Sequence, residues 1–139
     1  MEQANSRFVS MNEHAEVDAT EAVYTLGLCG CLCAVARRGS RVILAHYSPT
    51  NISGLYTLLK AFRPSHGFLW ASGVWVKGES GRYTLEPDDL PEVLSYLPLK
   101  IIPYDTSVLC GEHSNAKGVF YSNETAVGFN QVHSLKATA

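Results

Sequence analysis

Thr25–Pro49 reads TLGLCGCLCAVARRGSRVILAHYSP, and its pattern decides the fold class. Cys31–Arg37 and Arg41–Tyr47 (RVILAHY) are short apolar runs, separated by Arg38-Gly39-Ser40. Apolar runs of this length, bounded by turn residues, read as buried strands. Upstream, Ala22–Leu28 is a third such run, and Gly27 and Gly30 stand between it and the next. The sequence there predicts strand, tight turn, strand. Downstream, Pro49-Thr50-Asn51 stops the strand, with Asn51 placed to cap a helix. Ile52, Leu55, Tyr56, Leu59 and Phe62 then recur at helical spacing, so Ile52–Phe62 is an amphipathic helix that Pro64 ends.

Further out, Phe68–Lys77 reads as a strand, Gly78–Gly81 as a turn and Arg82–Leu85 as a short strand. A second helix is expected over Asp88–Tyr96, its first turn acidic to suit the positive end of the helix dipole. Lys100–Tyr104, Ser107–Cys110, Gly118–Ser122 and Ala126–Asn130 add strands, with Asn123-Glu124 as a hairpin tip. Residues 1–18 are polar and read as a flexible arm with a short strand at Arg7–Met11, leaving 19–139 as a single domain. Roughly nine strands and two helices make a sheet-dominated α/β or α+β domain.

Composition narrows the function. The 139 residues are 46% hydrophobic and carry a formal charge of −2, a balance suited to one soluble core without metal or disulfide staples. The longest basic run is Arg37-Arg38, so neither a nucleic-acid nor a membrane partner is expected. Residues 1–20 contain no apolar signal core, and no stretch is long enough to span a bilayer. The expectation is a cytoplasmic protein with its four cysteines reduced, delivery into another cell remaining open.

The chemistry concentrates at Cys31 and His46. A free thiol is only a few per cent thiolate at neutral pH, so a cysteine nucleophile needs a base. His46 stands fifteen residues after Cys31 on the next strand, where antiparallel pairing can bring it opposite. Gly30 lets the turn bend so that backbone N–H groups at Cys29 and Gly30 could face a developing oxyanion. Thr25 can hydrogen-bond the second imidazole nitrogen and orient the base.

Leu28-Cys29-Gly30-Cys31 resembles the Leu-x-Gly-Cys signature of bacterial glutamine-deamidating toxins such as the cytotoxic necrotizing factors. Thr25-Leu26-Gly27-Leu28 with Cys31, then Ala45-His46, resembles the chemoreceptor glutamine deamidases, although that family usually has Ser where Gly30 stands. The resemblance covers about 25 residues by this motif reading. It implies a β-sandwich-like pair of mixed sheets flanked by helices. It also implies a Cys31 nucleophile, a His46 base, an active-site Thr25, no cofactor or metal, and a partner protein bearing a target glutamine. Transglutamination is the same chemistry with an amine in place of water.

Two alternatives stay open. One is a catalytically idle binding module of the same fold. The other is a zinc-dependent hydrolase or nucleoside-cleaving enzyme, since related multicopper-polyphenol-oxidase-like proteins bind zinc through Cys and His. Cys110-Gly-Glu-His113 has half-site spacing, with Cys29, Cys31 and Cys33 as further ligands.

Overall fold

The computed structural model describes residues 6–72, 76–79, 82–85, 97–104 and 118–137. The expected helix Asp88–Tyr96, the strand Ser107–Cys110 and the Cys110/His113 pair lie outside the described residues. In chain order the strands are β1 (Arg7–Val9), β2 (Glu13–Asp18), β3 (Ala22–Thr25), β4 (Leu32–Arg38), β5 (Arg41–Tyr47) and β6 (His66–Ser72). They continue as β7 (Val76–Glu79), β8 (Arg82–Leu85), β9 (Lys100–Tyr104), β10 (Val119–Ser122), β11 (Thr125–Gly128) and β12 (Gln131–Ser134). One helix, α1 (Ile52–Phe62), follows a 3-10 turn at Pro49–Asn51.

The architecture is mixed α+β, with two five-stranded mixed sheets. The central sheet has the order β2-β5-β4-β6-β9 and the outer sheet β1-β3-β10-β11-β12, while β7 and β8 pair separately. Each large sheet holds one parallel pair, β6 with β9 and β1 with β3.

Strands β4 and β5 are buried on both faces, which is why they read as unbroken apolar runs rather than alternating ones. On one face Cys33, Val35, Val42, Leu44 and Trp70 pack against Val9, Val23, Val119 and Tyr121 of the outer sheet. On the other, Ala34, Ala36, Ala45 and Ala71 leave room for Ile52, Leu55 and Leu59 of α1. Helix, central sheet and outer sheet therefore stack as three layers. Arg37 joins the two sheets at one end: its buried guanidinium donates to Glu124 at 2.7 Å and to the Leu135 carbonyl at 2.9 Å.

Several expectations change. Residues 22–37 are not two paired strands. β3 lies in the outer sheet and β4 in the central one, so Leu26–Cys31 is a corner between layers. Gly27 (φ 76°) and Gly30 (φ 102°) take the left-handed backbone that turns it.

The polar segment 1–18 is no free arm from Arg7 onward. β1 pairs with β3, and β2 pairs with β5 along its whole length. Ala15 and Val17 of β2 face the core while His14 and Glu16 face solvent, an alternation masked by its high charge.

The expected strand Phe68–Lys77 is two elements, β6 and β7. Asn123 and Glu124 do form a hairpin tip, both at positive φ. A second tip at Phe129-Asn130 turns the chain into β12, a strand the sequence reading left out. No helix among the described residues is long and apolar enough to cross a membrane.

Candidate active site

Thr25, Cys31 and His46 arrive at the seam between the sheets from three places. Thr25 ends β3, Cys31 closes the corner just before β4, and His46 lies near the end of β5. Thr25 is pinned by pairing with Val119 and by Gly118, whose missing side chain lets it approach the Thr25 carbonyl. His46 projects from the same face as Val42 and Leu44, towards the outer sheet.

Thr25 Oγ1 lies 2.6 Å from His46 Nδ1 and 2.6 Å from the Val9 carbonyl oxygen. The carbonyl can only accept, so the single hydroxyl proton goes to Val9 and the Nδ1 proton must come from the ring. That network assigns neutral His46 the tautomer with its proton on Nδ1. Nε2 is then a bare lone pair, buried and without a hydrogen-bond partner. Burial holds the imidazole below its ordinary value of 6.5, so it is neutral near pH 7.

The register shifts the expected pairing. Cys33, not Cys31, is directly opposite His46. Cys31 precedes β4, outside the paired register, and joins the same buried cluster as Cys33. Accordingly no hydrogen bond joins Cys31 to His46. The Cys31 thiol donates instead to Met11 Sδ at 3.6 Å. Burial raises the Cys31 thiol, and the Cys29 backbone N–H beside the sulfur offsets part of that rise. The resting site is thus a neutral thiol beside a neutral imidazole, not the thiolate pair expected from the sequence. Cys33 is fully buried and its thiol is pushed far up, which removes it as a nucleophile.

The corner holds its shape through Tyr104, a residue the sequence reading did not connect to the site. Its hydroxyl accepts from the Gly30 N–H at 2.8 Å and donates to the Cys31 carbonyl at 2.6 Å. The Gly30 N–H, expected to serve an oxyanion, is therefore engaged, and the Cys29 N–H is the donor that reaches Cys31. Tyr104 stacks on Phe129, with ring centroids 4.7 Å apart. Met11 is the other unforeseen member. It is 54% exposed and sits over a thiol that is only 8% exposed, so it controls access. Asn12 secures that turn, its side-chain oxygen accepting from the Ser48 N–H at 3.1 Å and from the Asn51 amide at 3.4 Å. Tyr47, next to His46 in sequence, packs under α1 on the opposite face.

Cys29 is disulfide-bonded, whereas Cys31 and Cys33 are free. The fully reduced state expected of the cysteines does not hold, and Cys29 is not available as a zinc ligand. Among the described residues no three potential metal-binding side chains cluster. Alkylation of the denatured, unreduced chain should label Cys31 and Cys33 and spare Cys29 until a reductant is added. Equal labelling of all three would contradict the bond.

Comparison with known proteins returns no match, either to a family model or to a curated sequence.

Proposed function

We propose that the chain is a cysteine-dependent amidohydrolase that deamidates glutamine side chains on a partner protein. The observation that carries this reading is the Val9–Thr25–His46 relay, which leaves a buried, unpartnered imidazole nitrogen in the same buried layer as the free Cys31 thiol. A purely structural core histidine would normally have both ring nitrogens satisfied. The motif resemblance of Thr25, Gly30, Cys31 and His46 supports the same chemistry, and the two mixed sheets are compatible with the deamidase sandwich.

In this mechanism the approaching substrate displaces Met11, and a side-chain rotation brings Cys31 Sγ to Nε2. The thiol proton passes to Nε2 as sulfur attacks the amide carbon, and the imidazolium is held by its Nδ1–H bond to Thr25. The Cys29 N–H faces the new oxyanion. Collapse transfers the Nε2 proton to the departing nitrogen, releasing ammonia and leaving a thioester. Water, deprotonated by the same nitrogen, cleaves the thioester to give glutamate and restores the thiol.

Incubation with a glutamine-rich protein such as β-casein tests this. The expected result is a gain of about 1 Da per converted residue, with matching ammonia. Free glutamine should be a poor substrate, because remote binding energy is needed to position the amide. Intact partner proteins bound but never modified would favour an idle module instead.

The pH profile of kcat/KM should be a broad plateau. Its acid limb falls below pH 6.5, because burial lowers His46 and protonation there removes the base. Its alkaline limb falls above 9.0, because burial raises Cys31. An acid limb at or above the ordinary imidazole value would contradict the buried neutral base.

The Cys29 disulfide fits passage through an oxidising compartment. Delivery into another cell accommodates this better than residence in a cytoplasm.

A further inference from the structure

The outer sheet turns one face to the central sheet and the other to solvent. Register places Phe8 opposite Tyr24, Tyr24 opposite Phe120, Phe120 opposite Val127 and Val127 opposite Val132. These five side chains form a single row across all five strands. Four of them are large apolar groups with 37–70% of their surface exposed. The rings touch along the row: Phe8 to Tyr24 at 5.4 Å and Tyr24 to Phe120 at 5.6 Å between centroids. A second row beside it consists of Ala22, Ser122, Thr125 and Ser134, again in register. No side chain of either row is charged at neutral pH. Between the rows at β3 and β10 is a hollow of about 270 Å³, bordered by Ser6, Ala22, Tyr24, Phe120 and Ser122.

We propose that this face docks a short, uncharged, extended segment of the protein substrate, with one large apolar side chain seated in the hollow; the assignment of the partner as substrate rests on the deamidase reading. Three observations select this occupant. The absence of charge from both rows suits an uncharged partner and rejects acidic or basic segments, whose charges would be desolvated without compensation. The face spans roughly 300 Å², five strands by two rows, against about 800 Å² per partner in a stable interface. A permanent second copy is therefore not the fit, and a transient contact is. The hollow lies just under the about 300 Å³ lower limit of small-molecule sites, so it suits one side chain as an anchor.

The row shares its strands with the candidate site, which lies on the opposite, buried face of the same sheet. Phe8 and Tyr24 are followed by Val9 and Thr25, the residues that hold His46. Met11 and the thiol beneath it lie three residues beyond Phe8, at most about 10 Å of extended chain. A segment docked across the row and leaving past β1 reaches the corner that carries Cys31.

The test is an amide NMR titration of the full chain with a blocked glycine–serine heptapeptide carrying one phenylalanine and one leucine. Its control replaces those two residues with lysine and glutamate. The expected result is shifts at Phe8, Tyr24, Phe120, Val127 and Val132 with the first peptide and none with the control. Phe120→Lys and Val132→Lys, both at exposed positions, should each weaken binding about tenfold or more. Shifts that are absent, lie elsewhere or appear equally with the control overturn the proposal. So do the same shifts produced by maltohexaose, which would mark a glycan platform, or a sedimenting dimer that Phe120→Lys splits. The peptide contains no glutamine, so binding is read apart from turnover. Lost binding with intact deamidation overturns the docking surface alone, and intact binding without deamidation overturns the catalytic reading alone.

Discussion

Cys31→Ser should lower glutamine deamidation by about 10,000-fold or more, to the background of the assay, while the chain stays folded. The sulfur makes weak contacts, to Met11 and to the Cys29 N–H, that a serine hydroxyl can largely replace, so the change removes little stability. A serine hydroxyl in the same place is a far poorer nucleophile towards an amide unless its base is aligned for it. His46→Ala should fall nearly as far, because the same nitrogen takes the thiol proton, gives it to ammonia and activates water. Thr25→Ala should lose less, about 10–100-fold in kcat, since it fixes the tautomer but exchanges no proton with substrate. Thr25→Ser should recover most of that loss, as the hydroxyl that bridges Val9 and Nδ1 is kept. Ammonia release with each variant measures the series. Equal losses for Thr25→Ala and Cys31→Ser would mean that Thr25 does more than orient.

Tyr104→Phe should destabilise the fold by about 2–6 kcal/mol, the sum of two polar groups left without partners at about 1–3 each. The hydroxyl is the acceptor for the Gly30 N–H and the donor to the Cys31 carbonyl, at a side chain only 4% exposed. Ring packing on Phe129 survives the change, so the effect reports the two hydrogen bonds and not a cavity. Released, the Gly30–Cys31 peptide loses its fixed orientation, and kcat should drop more than KM rises. Urea unfolding beside steady-state kinetics checks both. An unchanged midpoint with unchanged kcat would show that water replaces the hydroxyl.

The sequence carried local information well and long-range information poorly. Arg41–Tyr47 and Ile52–Phe62 are legible to the residue because one is an unbroken apolar run and the other has a clear helical period, each with a clear stop at Ser40, Pro49 or Pro64. The nearness of Thr25 and His46 was legible only through the motif, since the two strands belong to different sheets. Nothing local separates a hairpin from a corner between sheets at Leu26–Cys31. Gly27 and Gly30 serve either, and only the partners of β3 decide.

The same limit hid the register. One pleat of displacement sets Cys33 rather than Cys31 opposite His46, and alternate cysteines on one strand look alike in sequence. Tyr104 lies 73 residues from Cys31, beyond any spacing rule. Met11 fell in a segment whose charges suggested an arm. Its neighbours Val9, Ala15 and Val17 held the signal that it belonged to a sandwich.

Site-resolved alkylation of native protein by iodoacetamide near pH 7, with and without the His46→Gln substitution, tests the Cys31–His46 partnership most directly. Thiolate, not thiol, reacts, so the rate reports whether His46 Nε2 accepts the Cys31 proton. Cys31 should react ahead of the fully buried Cys33, and His46→Gln should slow it about tenfold or more. The difference should vanish above pH 9.0, where solvent base removes the proton from the raised thiol without help. A Cys31 rate that is the same with His46 and with glutamine, or labelling that begins only when the chain unfolds, would contradict the pair.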